Sequence, residues 1–462
     1  MKSLSGKTVL VLGLGESGLA MAQWLHRQGA RVRVADSRSA PPFAAELKRS
    51  APGAVLLTGS FNDELIDGAE LIGLSPGLSL NEPVVMEAAR RGIPVVGEIE
   101  LFAGALRELD ARGQCKVIAI TGTNGKTTTT ALAGALCRAA GRVTAVAGNI
   151  GPAALAALMT CLDAGKLPEV WVLELSSFQL ETTVSLAVDA AAVLNVSDDH
   201  LDRYAGLDDY AAAKARIFAG GGAQVLNRQD ARVLAMANAV SRRLTFGVDA
   251  PAGAEDFGIE DGWLMQGNER LLAASELAIA GLHNAANALA ALALCHSIDL
   301  PLAPLLPALR DFKGLPHRVE HIAEIDGVAW YDDSKGTNVG ATVAALEGLG
   351  RKVVLIAGGD GKGQDFSPLA PALAGHGRAL VLIGRDAMKI EAAVADCGIP
   401  LIHAQDMEQA VRKAAVAARA GDAVLLSPAC ASFDMFRNYA HRAEVFAQAV
   451  RELAQARQGE AS

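Results

Sequence analysis

The sequence predicts an α/β chain of three domains, each built on a parallel sheet. Three times a short β-branched run leads into a glycine-bearing turn and then a helix-like stretch: TVLVLGLGESG from Thr8, KVIAITGTNGKT from Lys116 and KVVLIAGGDGKG from Lys352. A strand feeding a tight turn and a helix opens a βαβ unit, with its functional loop at the carboxyl end of the strand. A chain of 462 residues suits about three domains of ordinary size. With 51% hydrophobic and 20% charged residues, it has apolar surface enough for folded cores throughout. The expected order is a Rossmann-like N-terminal domain, a central phosphate-loop ATPase domain and a C-terminal Rossmann-like α/β domain.

In the first domain, Gly13, Gly15 and Gly18 have the G-x-G-x-x-G spacing of a diphosphate-binding turn. LAMAQWLHRQG then reads as a helix stopped at Gly29, and RVRVADSR as the second strand of a βαβ start. RGIPVVGEIELFAGAL closes the region and the polar LDARGQ forms a hinge, which places the first domain at 1–105. The central domain, 106–313, carries ITGTNGKTTTT, a helix TTTTALAGALCRAAG, strands VWVLELSS at 170–177 and AAVLNVS, and a helical run at 282–298. Proline-punctuated LPLAPLLPALRDFKGLPHR ends it. The third domain, 314–462, contributes the buried strands of VVLIAGGDG, ALVLIGRD and AVLLSPACASF.

A net charge of −9 argues against a general nucleic-acid binder, since phosphate-backbone affinity requires clustered Lys and Arg. Six scattered cysteines with no C-x-x-C pair read as reduced packing thiols, pointing to the cytoplasm. The short apolar run Val9–Leu12 meets a glycine loop rather than a cleavage site, so no signal peptide is expected. No apolar run reaches the about 18 residues of a membrane span. No partner-binding stripe stands out, and a monomer is the default.

The loop GTNGKTT departs from the Walker pattern, because Ile120 stands six before Lys126 where that pattern has Gly. Its mechanics survive. Backbone N–H groups of Gly122, Thr123, Asn124, Gly125 and Lys126 can wrap phosphates, Lys126 can neutralise the outer pair, and the Thr127 hydroxyl can ligate Mg²⁺. The helix beginning there aims its positive end at the anion. The bland alternative is a helix N-terminus with an incidental lysine. Glu174 interrupts an apolar strand, where an acid is costly to bury unless it meets a cation or is paired; a strand acid reaching solvent is the competing reading. NVSDDHLDRY groups Asp198, Asp199, His200 and Asp202, which beside a phosphate loop points to a metal site. Lys214, in the Ala-rich YAAAKARIF, reads by residue type alone as a solvated charge.

Taken together, GLGESG, SPG at 75–77, GTNGKTT, GNIG at 148–151, ELSSFQLE, DDHLDRY, GLHNAANALAA, GLPHR, DDSKGTN, GGDGKG and SPACASFD closely resemble the Mur ligase family over nearly the whole chain. Its members are ATP-dependent amino-acid-adding enzymes of peptidoglycan precursor synthesis. The resemblance implies phosphorylation of an acceptor carboxylate by ATP, then attack of an amine on the acyl phosphate through a tetrahedral intermediate. It is nearest to the members that add D-glutamate to UDP-N-acetylmuramoyl-L-alanine.

By the same resemblance, Lys126, Glu174, His200 and Lys214 are catalytic, and two Mg²⁺ ions are held by Thr127, Glu174, His200 and Lys214, the last as a carbamate. ATP falls to Gly122 through Thr128, with Asn284, Asn287, Arg318, Asp333 and Lys335. Ser17, Ser37, Arg38 and Asn149 face the UDP-substrate, and Thr337, Lys362, Ser432, Phe433 and Tyr439 the glutamate. Phe433 and Tyr439 stand where the family more often has Leu and Phe.

Three alternatives remain at this point. A nicotinamide-linked oxidoreductase accounts for GLGESG and Asp36 but leaves GTNGKTT, Glu174 and His200 without a role. A folylpolyglutamate synthase, or a Mur ligase adding another residue, shares the phosphate loop and third domain but fits the N-terminal glycine unit less well. An ATP-binding regulatory protein needs no second substrate.

Overall fold

The computed structural model describes residues 4–109, 113–200, 203–239 and 241–460, and holds three sheets in succession. Asp202, grouped above with the metal candidates, lies outside the described residues.

The first sheet comprises β1 (Thr8–Leu12), β2 (Arg31–Asp36), β3 (Val55–Thr58), β4 (Leu71–Leu74) and β5 (Val95–Val96) in the order β3-β2-β1-β4-β5, all parallel. Val9 through Leu12 are fully buried, as expected of a central parallel strand covered on both faces. Gly13 turns the chain at φ 84° into the helix Glu16–Arg27. The strand order reverses beside β1, so a crevice opens at its carboxyl end, the usual ligand position in such sheets.

The second sheet contains β6 (Lys116–Thr121), β7 (Thr144–Gly148), β8 (Val170–Glu174), β9 (Ala190–Val193), β10 (Ala223–Asn227), β11 (Arg243–Phe246), β12 (Phe257–Glu260), β13 (Trp263–Gln266) and β14 (Glu269–Ala273). Its order, β14-β13-β12-β11-β10-β9-β6-β8-β7, sets β6 between β8 and β9. The phosphate loop after β6 is therefore flanked by the carboxyl ends of β8, where Glu174 sits, and of β9, which leads to Asn195 and His200. The stretch expected as a strand through residue 177 ends instead at Glu174. Ser176 accepts the Gln179 N–H, and the Gln179 side chain returns to the Ser176 N–H, a capping box that starts the helix Ser177–Glu181.

The third sheet, β15 (Glu320–Ile325), β16 (Val328–Asp332), β17 (Val353–Gly358), β18 (Gly377–Ile383), β19 (Leu401–His403) and β20 (Ala423–Leu426), has the order β15-β16-β20-β17-β18-β19. Only the β15–β16 hairpin is antiparallel. That hairpin and β19 join the three strands the sequence announced.

One apolar core runs through the first and second units. The helix Glu98–Glu108, which contains residue 105, presses Phe102 edge-on against Trp171 with ring centroids 5.0 Å apart, both residues fully buried. Truncating such a side chain costs about 3–5 kcal/mol. On the other face of the second sheet, the helices Lys126–Ala139 and Leu282–Ser297 pack together, so the first turn of one lies beside the first turn of the other.

Candidate active site

The loop after β6 is built by close approach. Gly122, at φ 154°, passes Leu194 and Asn195 so tightly that a Cβ would meet the Leu194 side chain at 3.0 Å. Gly125, at φ 82°, abuts the second long helix, where a Cβ would lie 2.3 Å from Asn287 Oδ1. Asn195 fixes what lies between: its carbonyl accepts the Thr123 N–H at 2.9 Å, its Oδ1 the Asn124 N–H at 2.8 Å, and its Nδ2 donates to the Asn124 carbonyl at 3.1 Å. Two of the N–H groups expected to wrap phosphates are thus engaged within the protein. Lys126 Nζ folds back onto the carbonyls of Gly122 and Thr123, each at 2.8 Å.

Two cavities meet at this loop. One, of about 530 Å³, is lined by Asn124, Gly125, Thr128, Asn284, Asn287, Arg318, Asp333 and Lys335 together with apolar Leu194, Phe246 and Val248. The other, of about 510 Å³, is lined by Thr123, Lys126, Thr127, Asn149, Glu174, His200, Thr337 and Tyr439, and shares Asn124, Gly125, Arg318 and Lys335 with the first. Every residue expected around ATP except Gly122 lines one or both. A cavity with apolar walls opening onto a cationic end suits a nucleoside triphosphate.

The cationic end is crowded. Burial pushes the Lys126 ammonium down, against the pull of Glu174 and Asp199. Burial also lowers Lys335 to about 8, with Arg318 lowering it further. Arg318 donates from Nη2 to Thr127 Oγ1 at 2.5 Å, tying the segment that leads into the third sheet to the phosphate-loop helix. Burial raises Asp333 to about 7 although the Ser427 hydroxyl donates to it at 2.7 Å. Three cations converging on one partly enclosed space favour a polyanion.

The metal candidates are only partly gathered. Thr127, Glu174 and His200 line one cavity. Glu174 Oε1 accepts the Asn149 amide at 2.6 Å, while its Oε2 is buried with no hydrogen-bond partner. A lone buried carboxylate oxygen facing such a cavity fits a cation. His200, at φ 56°, sits 3.8 Å from Asp199. Lys214 is 1% exposed, which overturns the solvated reading. Its Nζ donates to the Gly122 carbonyl at 2.8 Å and lies 4.3 Å from the Tyr210 ring centroid; burial, then Lys126, push its pKa well down. Among the described residues, the histidine–carboxylate group whose ligand atoms lie within 4.8 Å of one another is a different one, His317, Glu320 and Asp332. There His317 Nδ1 and Asp332 Oδ2 are paired at 2.7 Å.

A third cavity, of about 340 Å³, lies over the first sheet and is lined by Gly13, Gly15, Ser17, Ser37, Arg38 and the 75–78 turn. Arg38 grips Asp36 at 2.8 and 2.6 Å, and the Arg38 bond is the main cause holding that carboxyl down at about 2. Asn149 is not in this cavity but in the central cleft, against Glu174.

Of the residues expected at glutamate, Thr337 and Tyr439 line the central cleft, and Lys335 Nζ lies 4.0 Å from the Tyr439 ring centroid. Ser432 is buried, Phe433 is 72% exposed, and Lys362 is an exposed turn residue at φ 50°; none of the three lines that cleft. Two asparagines missed in the sequence carry structure here, Asn195 and Asn338. Asn338 exchanges amide hydrogen bonds with Asn124 at 3.0 and 3.2 Å and caps the helix Val339–Gly348 through the Ala341 N–H. Both lie in stretches already notable, NVSDDH and DDSKGTN, but nothing in residue type announces a reciprocal amide pair.

Comparison with known proteins gives consistent matches over the three units. The Mur ligase MurD-like N-terminal domain matches residues 7–97, the Mur ligase middle domain residues 120–295, and the Mur ligase glutamate ligase domain residues 317–430. The UDP-N-acetylmuramoylalanine--D-glutamate ligase of Nitrosospira multiformis is 60% identical, covering 99% of this chain and 98% of its own. The protein of the same name from Aromatoleum aromaticum is 59% identical, covering 99% and 100%. Among solved structures, a pseudomurein peptide ligase type C from Methanothermus fervidus superposes with a TM-score of 0.60 over 97% of this chain and all of its own, at 19% identity, a likeness of fold.

Proposed function

The chain belongs to the Mur ligase family, and from that premise we propose how its residues divide the work. It is an ATP-dependent amide-forming ligase that adds D-glutamate to UDP-N-acetylmuramoyl-L-alanine, in peptidoglycan precursor synthesis. The observation that carries the assignment of the centre is the junction of two cavities at Asn124–Gly125, ringed by Lys126, Arg318 and Lys335.

ATP lies along that junction, with its base toward Asn284, Asn287 and Phe246 and its phosphates toward Gly122–Thr128. The three cations neutralise the phosphates as the terminal phosphoryl group passes to the acceptor's alanine carboxylate. Phosphoryl transfer is chiefly a matter of position and charge, so no covalent protein intermediate is required. The glutamate amine then attacks the acyl carbon, a tetrahedral intermediate collapses, and phosphate leaves as the amide forms. Enclosure of the cleft by the central and third units keeps water from the acyl phosphate.

Mg²⁺ supplies charge neutralisation at the phosphate oxygens when bound. Thr127, Glu174 and His200 would hold it, with Lys214 as a carbamate, in two sites; the unpartnered Glu174 Oε2 supports this set. Carbamylation joins the neutral Lys214 amine to CO₂ with release of a proton, and burial favours the neutral amine. Asp333 and Lys335 bring the third unit to the nucleotide. Ser17, Ser37 and Arg38 hold the uridine diphosphate, and Asn149 the sugar. Thr337, Lys362, Ser432, Phe433 and Tyr439 serve the glutamate, the outlying three by movement of the third unit toward the cleft.

The division 1–105, 106–313 and 314–462 assigns one unit to each of UDP-substrate, ATP and amino acid. No helix among the described residues is long and apolar enough to cross a membrane, and we place the enzyme in the cytoplasm as a monomer. The deciding experiment is phosphate release from ATP. It requires both UDP-N-acetylmuramoyl-L-alanine and D-glutamate; release with either alone, or with L-glutamate equally well, refutes the assignment.

A further inference from the structure

The pocket of the first unit and the central cleft are separate cavities, and an acceptor held in one must deliver its carboxylate to the other. One guanidinium ties the wall of the first to residues packed behind His200, which lines the second. Arg203, on the loop after β9, donates from Nη1 to the Pro76 carbonyl at 2.9 Å and from Nη2 to the Leu78 carbonyl at 2.7 Å, and both residues line the first-unit pocket. The same Nη2 is paired with Glu181 Oε2 at 3.0 Å, while Glu181 Oε1 accepts the Tyr204 hydroxyl at 2.6 Å. The guanidinium carbon lies 4.1 Å from the Phe178 ring centroid, and that ring meets the His200 imidazole edge-on at 4.8 Å. The Arg203 N–H also donates to the His200 carbonyl at 2.9 Å.

Both ends of this link are stiff. On the first unit, Ser75 Oγ donates to the Gly13 carbonyl at 2.8 Å, locking the 75–78 turn to the glycine turn beneath the pocket. On the central unit, the Glu181 carboxylate belongs to the capped helix Ser177–Glu181. The Arg203 side chain is 12% exposed and Glu181 15%, so the pair is screened far less than a surface ion pair.

We propose that Arg203 is a positioning residue for the acceptor substrate, fixing the wall of the uridine-diphosphate pocket against the ledge that carries His200. This rests on the ligase reading above. Arginine is required by geometry: two carbonyls from one unit, a carboxylate from the other and an aromatic face are met at once by a planar fork, and a lysine ammonium cannot reproduce that set. Misplacing reacting groups by about 1 Å can cost about a hundredfold in rate, so the link acts through the register of acceptor and ATP rather than through affinity for either end.

The test compares wild type, Arg203→Ala and Arg203→Lys in steady-state phosphate release, with calorimetric binding of UDP alone. Arg203→Ala is expected to lower kcat and raise KM for UDP-N-acetylmuramoyl-L-alanine by about tenfold each. KM for ATP and Kd for UDP stay within about twofold, since neither ligand spans the link. Arg203→Lys falls between, and decides the matter if the alanine variant does not fold. Unchanged kcat and acceptor KM in a folded Arg203→Lys, or an equal loss of UDP affinity, overturns the proposal. A wild-type protein that releases no phosphate with both substrates overturns the ligase reading itself.

Discussion

Replacing Gly125 by alanine tests whether the phosphate loop and the helix Leu282–Ser297 form one nucleotide site. Two costs follow from the structure. At φ 82° an L residue enters the left-handed region, at about 1–2 kcal/mol. Its Cβ would also fall 2.3 Å from Asn287 Oδ1, so the amide must swing away. It then forfeits the Thr129 hydroxyl and its own bond to Asn284 Oδ1, each at 3.3 Å; two long buried bonds are worth about 1 kcal/mol together. The sum, about 2–3 kcal/mol, lowers the unfolding midpoint of a unit this size by about 4–12 °C. ATP affinity should fall with it, because the displaced amide lines the cavity proposed for the nucleotide. Thermal unfolding and ATP-analogue calorimetry on Gly125→Ala, Asn287→Ala and the double variant close the cycle. Removing the Asn287 side chain relieves the clash but not the backbone strain, so the double variant recovers about 1 kcal/mol of coupling. Additive effects, or a Gly125→Ala midpoint within about 1 °C of wild type, would mean that the loop and the helix do not form one site.

Lys335, lowered to about 8 by burial, is a cation only below that pH; with the phosphates placed as proposed, kcat/KM for ATP falls as pH rises through about 8 and Lys335→Arg moves the fall upward. Stability runs the other way: between about 8 and 10.5 the unfolded chain holds a proton the folded one has lost, so this group's contribution rises with pH across that window. Asn338→Ala removes both the helix cap and the Asn124 pair, costing about 1 kcal/mol in the cap alone. Asn338→Asp keeps the cap acceptor but replaces the donor to Asn124 Oδ1 and Asp199 Oδ2 with a carboxylate oxygen. Kinetics then show a roughly three- to tenfold drop in kcat, and the unfolding midpoint falls as well, through the about 1–3 kcal/mol that a buried group left without its partner costs. Lys214→Ala should be inactive and regain turnover with short carboxylates such as acetate; full activity in any Lys214 variant removes the carbamate.

The turns were legible because their chemistry is local. A strand, a glycine at positive φ and a helix start within about ten residues announce themselves, as at Gly13 and Gly125. What escaped is what joins distant segments. Lys214 in an Ala-rich helix reads as solvated, and only the fold reveals that its ammonium lies under the Gly122 carbonyl. Arg203 and Asn338 each bridge two units, and no periodicity records a partner more than a hundred residues away. The third unit was the least legible. Its glutamate candidates were carried by likeness, and Lys362 and Phe433 stand exposed away from the cleft while Ser432 is buried.

The glycine fingerprint of the first unit shows why spacing alone names a turn and not a ligand. Gly18 is required by the backbone itself, since a Cβ there would lie 1.9 Å from the Gly13 carbonyl oxygen, and that holds whatever diphosphate sits above it. The choice between ligands falls to the end of β2. In a nicotinamide site the acid at that position reads a ribose diol with its free oxygens. Here Asp36 Oδ1 accepts from Arg38 Nε and N–H, and Oδ2 from Arg38 Nη2 and the Leu14 N–H at 2.7 Å. With its carboxyl held down at about 2, Asp36 stays ionised and committed to Arg38 at any working pH. A ribose diol would have to break a bidentate pair to be recognised, whereas an anionic ligand beside Ser37 meets the pair's guanidinium directly. The same turn that would seat NAD therefore favours the diphosphate of a UDP-sugar.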